Sequence, residues 1–392
     1  MDARPEGRGA PLYYEGSETR PDGGKERNVS NSPVVEVEGK RLSLSNLEKV
    51  LYPATGFTKG QVIDYYARIA PALLPHLAGR PVTMKRYPDG VDGEYFYEKN
   101  APKHRPDWVK TAPIWSRHNR RHINYLLVDD LPTLTWLANL ASLEIHPSLA
   151  LATDIDCPTM MVFDLDPGPP ANIVQCAEVG LWLREIFDHW GLESFPKTSG
   201  SKGLQIYIPL NTPTSYEVTK PFAQALARLL EHDHPKMVVS DMKKELRKGK
   251  VFVDWSQNDE HKTTVSVYSL RAREHPTVST PVTWEEVEQA LKKKDASFLV
   301  FEASRVLQRF EKMGDLHAPV LKLKQKLLAL RGVGVAAGAE STTVDLAAQA
   351  EEESSSTKKL TEATNMRKMR KKSNTAAAVR KKAPAKKKQR AV

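Results

Sequence analysis

Cysteine is nearly absent: Cys157 and Cys176 are the only two in 392 residues. They stand too far apart for a CxxC metal knuckle and are too few for a disulfide framework. Both read as reduced core thiols of a cytoplasmic protein. Long apolar runs are missing as well, since nothing approaches the roughly 18 residues that a membrane span needs. The first thirty residues carry acids and glycines where a secretory signal requires an apolar stretch. Membrane insertion and export are thereby excluded from the reading. The Gly-x4-Gly-Lys-Ser/Thr spacing of a Walker A loop is also absent, and no internal repeat is present.

What is there is a chain with 40% hydrophobic residues, enough for a substantial core, and a net charge of +10. The charge is unevenly placed. Residues 358 to 392 hold fourteen Lys or Arg and a single acid, Glu362, so the rest of the chain is slightly acidic. A near-neutral body with a cationic arm points to a polyanionic partner. Residues 1–33 lack apolar periodicity and read as a disordered leader. Residues 34–318 read as one folded domain, 319–357 as a helical end and linker, and 358–392 as a basic disordered tail.

Inside the body, Ser45 with Glu48, Thr58 with Gln61 and Thr283 with Glu286 have capping-box spacing and predict helix starts. Apolar residues at three and four spacing predict helices over 133–145 and 172–189. Strand character marks 122–128, 159–166 and 250–254. The mixture indicates an α+β fold.

In the run Met160 to Asp166, strand alternation puts Asp164 and Asp166 on one face and Phe163 and Leu165 on the other. Two acids so placed repel unless a divalent cation sits between them, although a strand end facing water gives the same pattern. Asp254 closes a second strand-like run in an apolar setting. Three carboxylates on neighbouring strands suit two metal ions about 3.5–4 Å apart, the arrangement for nucleotidyl transfer. The segment Lys197 to Gly203, Lys-Thr-Ser-Gly-Ser-Lys-Gly, offers amides, hydroxyls and a lysine to an anion; turn chemistry alone favours a hairpin. His261 to Arg271 reads as strand-like, with Lys262 and Arg271 able to clamp a triphosphate or to guard a solvated edge.

In order, LYPATGFTKGQVIDYY, LEIHP, VFDLDPG, KTSGSKGLQIYIPL, GKVFVDWSQN and KTTVSVYSLRAR resemble the successive signatures of the polymerase module of bacterial DNA ligase D. This is a branch of the archaeo-eukaryotic primases, and the resemblance covers residues 36 to 290. It implies a primase-like polymerase core whose RRM-like sheet carries the catalytic aspartates. The implied activity is metal-dependent, template-directed extension of DNA 3′ ends in end joining or short-gap repair.

On the matching positions, Asp164, Asp166 and Asp254 would bind two Mn²⁺ or Mg²⁺ ions, and His146 would be the active-site histidine. Ser199, Lys202, Lys262 and Arg271 would surround the nucleotide phosphates. Lys49 and Lys59 would grip a 5′-phosphate at a DNA gap or end, and Phe96 and Tyr97 would stack on template bases. Without the resemblance, those lysines read as helix-surface charges and the two rings as core residues. Nucleoside triphosphates, ribonucleotides included, would be substrates, and a Ku-like end-binding protein a partner. The Lys-x-Asp-Gly nucleophile of the ligase module is missing, so sealing is expected to need a separate DNA ligase.

Gln205 departs from the family, which usually has histidine there. Glutamine offers phosphate only a neutral hydrogen bond, so a weakened grip on the nucleotide is expected. Two rivals follow. A DNA-end-binding factor that has lost catalysis through Gln205 is opposed by the three intact acids, and a metal-dependent phosphohydrolase by the lack of a nucleophile or histidine cluster.

Overall fold

The computed structural model describes residues 33–116 and 119–327. Two hairpins come first, β1 (Val34–Val37) with β2 (Lys40–Ser43) and β3 (Val50–Tyr52) with β4 (Phe57–Thr58). Helix α1 (Lys59–Leu77) follows, opened by the expected capping box of Thr58 and Gln61. Its buried stripe includes Val62, Tyr66, Ile69 and Leu73.

One sheet is built from β5 (Val82–Arg86), β6 (Phe96–Glu98), β7 (Thr111–Ser116), β8 (Arg121–Leu126) and β9 (Ser142–Pro147). Helix α2 (Leu131–Asn139) precedes β9. The small hairpin β10 (Ala150–Leu151) and β11 (Asp154–Pro158) then leads to β12 (Met160–Pro167), α3 (Ile173–His189), β13 (Phe195–Thr198) and β14 (Leu204–Pro209). After α4 (Tyr216–Asp233) come β15 (Val238–Val239), β16 (Val251–Asp254), α5 (Trp284–Lys293) and α6 (Ala303–Met313). The second sheet has the order β13-β14-β12-β16-β15, with only the β15–β16 pair parallel.

Helix α3 closes one face of this second sheet. Gly180 lets it approach Leu165, Leu204 and Ile206, the Cys176 thiol donates to the Leu165 carbonyl, and Phe163 meets Phe187 with ring centres 5.6 Å apart. The apolar alternates of β12 are therefore used up in the core. Asp164 and Asp166 are left on the opposite face, as their period of two requires.

Of the two expected core thiols, Cys176 is buried but Cys157 is only half-buried on β11. Three expected elements also fail, each for a local reason. No helix starts at Ser45: Asn46 takes φ +53°, and the Ser45 carbonyl and hydroxyl accept hydrogen bonds from the Lys59 ammonium. The helix expected over 133–145 stops at Asn139, because Ala141 takes φ +55° and Ser142–Pro147 pairs with β5. The run from His261 to Arg271 is extended through Ser266 but forms no ladder strand. Its amides instead tie to β9, Thr264 N–H donating to Pro147 and Ser266 N–H to Ile145, before Tyr268 turns the chain at φ +64°. The leader before residue 33 and the basic tail lie outside the described residues. Of 319–357, only 319–327 is described, where a short 3-10 turn gives way to extended chain.

Candidate active site

Cross-strand register builds the site. Lys197 on β13 faces Gln205 on β14, Gln205 faces Asp164 on β12, and Asp164 faces Asp254 on β16. Directly opposed residues of antiparallel strands share a face, so these four side chains form one row across four strands. Asp166 stands two residues along β12 on the same face.

The row is charged, with Lys197 and Gln205 buried and the aspartates half-buried. Burial, followed by the neighbouring charges of Asp166 and Asp254, pushes the Asp164 carboxyl up to about 7, with Gln205 and Lys197 opposing the rise. Its Oδ1 is buried and has no hydrogen-bond partner. Burial also raises Asp166, against the pull of Lys202. Asp254 is better satisfied: its carboxylate accepts from Ser256 N–H at 3.0 Å, Ser256 Oγ at 2.6 Å and Gln257 Nε2 at 2.8 Å. Among the described residues, no three acid, histidine or cysteine side chains already stand gathered as a cation site. The chemistry of the donors nonetheless fits a hard divalent ion, since all are carboxylate oxygens and Asp164 has an orphaned one.

Gln205 belongs to this row rather than to the loop. Its Oε1 accepts a short hydrogen bond from the Lys197 ammonium, and its side chain also meets Asp164. Lys197 donates in addition to Ser279 Oγ at 2.7 Å and is almost fully buried. Sequence reasoning placed Lys197 only in a loop motif. A lysine in register with a family-deviant glutamine was the signal that could have found it.

The loop between β13 and β14 is the hairpin that turn chemistry favoured. Ser199 Oγ accepts from the Ser201 and Gly203 amides and so closes the loop on itself. A Cβ on Gly203 would stand 2.2 Å from the Leu165 carbonyl oxygen, so only glycine lets the loop reach the acid-bearing strand. Lys202 projects outward, and its charge acts on Asp166. Arg271 donates to the Ser199 carbonyl at 2.5 Å. Lys262 is exposed and stays outside this cluster.

His146 sits on β9 with Nε2 3.0 Å from Glu144 Oε2, and burial lowers its proton affinity. Glu144 was not foreseen. Burial alone would raise its carboxyl, but the His146 hydrogen bond and the charges of Arg271 and Lys85 hold it well below the usual range. It lies 3.3 Å from Arg271 Nε and 3.7 Å from Lys85 Nζ, and accepts from the Ala272 amide. An acid two residues before His146 in an otherwise apolar strand was its signal.

A second basic group lies at the start of α1. Burial, then the charges of Lys49 and Arg86, lower the Lys59 ammonium to about 8. Lys49 and Arg86 therefore both act on Lys59, and Arg86 is a residue that sequence reasoning missed. Lys49 pairs with Asp89 at 2.8 Å and Arg86 with Glu98 at 2.8 Å. The Arg86 guanidinium also lies 5.1 Å from the centre of the Phe96 ring. Phe96 and Tyr97 are 44% and 58% exposed, which is not how core rings sit. Tyr97 is also 6.1 Å from His146, so the aromatic edge of β6 runs to the histidine.

Comparisons with known proteins bear on the fold and the family. The model of the LigD primase-polymerase domain matches residues 58–317. A multifunctional non-homologous end joining protein LigD of Mycolicibacterium smegmatis is 43% identical over 283 residues, 72% of this chain and 36% of that protein. A bifunctional LigD of Bacillus subtilis is 32% identical over 275 residues, covering 70% of this chain and 43% of that one. The chain thus spans well under half the length of these relatives. Among solved structures, the polymerase domain of Mycobacterium tuberculosis ligase D in complex with DNA is 41% identical, with a TM-score of 0.66, covering 72% of this chain and 98% of that one. The mixed α/β fold with its row of sheet-borne aspartates is that of a ligase D polymerase domain, and the chain belongs to the LigD primase-polymerase family.

Proposed function

We propose that the protein is a metal-dependent, template-directed nucleotidyltransferase that extends DNA 3′ ends during end joining or short-gap repair. The observation that carries this reading is the Asp164, Asp166 and Asp254 set, whose buried Oδ1 on Asp164 lacks a partner. Those three residues would hold Mn²⁺ or Mg²⁺, which when bound supplies charge neutralisation and Lewis acidity for attack of a 3′-hydroxyl on an α-phosphate.

The chain's own groups supply positioning. Lys202, on the Ser199 loop that Arg271 braces, presents positive charge to a triphosphate beside the acids. Lys49, Lys59 and Arg86 form a receptor for a 5′-phosphate dianion, and the burial that weakens the Lys59 charge is relieved when an anion arrives. The exposed rings of Phe96 and Tyr97 suit stacking on unpaired template bases. A Ku-like protein and a separate DNA ligase are the partners this role would require, and ribonucleotides are substrates to be tested beside deoxyribonucleotides.

Primer extension across a short gap with a 5′-phosphate, in Mn²⁺ with labelled nucleotides, tests the reading. The unchanged protein should add nucleotides, and Asp164→Asn with Asp166→Asn should abolish addition while gapped DNA is still bound. Extension by the double variant near the parent rate would defeat the assignment.

A further inference from the structure

Beside the row of Lys197, Gln205 and Asp164 lies a small, partly open cavity of about 30 Å³, walled by buried residues of β9, β12, β13, β14 and the run after His261. Arg80 and Lys197, 4% and 1% exposed, both line it. Neither has a carboxylate within ion-pair distance among the described residues. Arg80 donates to the Ser148 and Leu149 carbonyls and to Thr159 Oγ1. Lys197 donates to Gln205 and Ser279, and Asp164 stands one residue farther along the row. An ammonium has three N–H bonds, so one remains. Burial pushes the Lys197 ammonium well below its ordinary value, with the Asp164 carboxyl only partly opposing the shift, so an anion in this space would favour the charged lysine.

The same space is lined by three buried polar atoms without partners: Thr264 Oγ1, Ser266 Oγ and His317 Nδ1. Asp315, the acid behind His76, is already matched to His76 at 2.8 Å and to the Tyr268 hydroxyl. Burial, then the neighbouring His76 and Lys197, push the His317 imidazole well below its ordinary value. A water needs roughly 10–15 Å³, so the cavity has room for two or three particles of that size. That is a monatomic ion's space rather than a phosphate's.

We infer that this cavity is a binding site for a halide ion of chloride's size, drawn by the charges of Arg80 and Lys197 and held by the hydroxyls of Thr264 and Ser266. The hydroxyls rotate to donate, which satisfies both orphaned oxygens at once. The ion would also steady Lys197, the residue that fixes which way the Gln205 amide faces.

Thermal unfolding of the full chain, in sodium chloride and sodium gluconate mixtures of constant ionic strength and without divalent metal, tests this. A ligand that binds only the folded form raises the midpoint by mass action. Chloride should therefore raise it with the logarithm of its concentration once that exceeds the dissociation constant, bromide should replace chloride, and gluconate, too large to enter, should not. Ser266→Ala with Thr264→Val preserves shape while removing both donors. It should raise the apparent dissociation constant for chloride at least about tenfold, the equivalent of a single hydrogen bond to an ion. If that variant does not fold, anomalous scattering from bromide in crystals of the parent decides, with a peak expected between Arg80 and Ser266. Coincident chloride and gluconate curves, a rise linear in concentration rather than in its logarithm, or no bromide peak in the cavity would overturn the site. None of these readouts depends on nucleotide addition, so the site and the polymerase reading fail separately.

Discussion

At the scale of single residues, the row across the sheet changes what Gln205 means. As a sequence departure it suggested a neutral donor to phosphate, and histidine would then improve nucleotide affinity in acid. In the fold, Gln205 accepts from Lys197 and meets Asp164. A neutral histidine can do both with its two nitrogens, but a protonated one carries no acceptor and would stand against the lysine. Gln205→His is therefore expected to extend primers near the parent rate above about pH 7.5 and to lose activity as pH falls through about 6.5. A pH profile of steady-state extension reads the sign directly, and a gain in acid would show that position 205 reaches phosphate after all. Lys59 gives a second pH dependence. Its proton affinity is lowered to about 8 in the protein alone, whereas a bound 5′-phosphate favours the charged form. Binding then takes up a proton once pH exceeds 8. Preference for phosphorylated over unphosphorylated gaps should fall as pH rises from about 8 toward the ordinary lysine value near 10.4, and Lys59→Met should flatten that slope.

At the scale of elements, what was legible depended on whether the signal was local. The capping boxes of α1 and α5, the periodicity of α3 and the alternation of β12 are written in neighbouring residues, and all four elements form. Ser45 has the same local spacing but lost its helix to a distant lysine, and Ser142–Pro147 left the expected helix because β5 offered it a ladder. The same limit applied to the site. Asp164, Asp166 and Asp254 were visible as acids in apolar strands, whereas Lys197, Glu144 and Arg86 gain their meaning only from partners far along the chain. The β13–β14 hairpin yields a prediction of its own. Gly203→Ala places a Cβ 2.2 Å from the Leu165 carbonyl oxygen, so the hairpin must lift off β12. A loss of about 1–3 kcal/mol is expected by denaturant unfolding, with a larger proportional loss of nucleotide addition. Unaltered stability together with unaltered addition would mean that the loop has slack.

At the scale of the molecule, the two sheets are joined through charge. Glu144 on β9 meets Arg271, which in turn donates to the Ser199 carbonyl in the loop of the other sheet. Glu144→Gln removes the charge but keeps the shape. Leaving Arg271 and Lys85 without it should cost about 3–5 kcal/mol if both stay buried, less where water enters, and should raise the Michaelis constant for nucleotide. The basic arm acts on another level. Deleting residues 358 to 392, with their fourteen Lys or Arg, should weaken duplex binding and flatten its salt dependence, each lost phosphate contact removing about 0.9 from the slope. An unchanged slope would assign the arm to a protein partner.

The row Lys197, Gln205, Asp164 and Asp254 takes one residue from each of four strands. Insertions are absorbed by the connections, such as the long one between β14 and β16, without moving any of the four. One residue gained or lost inside a strand turns its member to the α3 side. In a lineage of such chains, length should drift freely between the strands and not at all within them, so the active site is inherited as a count of residues along each strand.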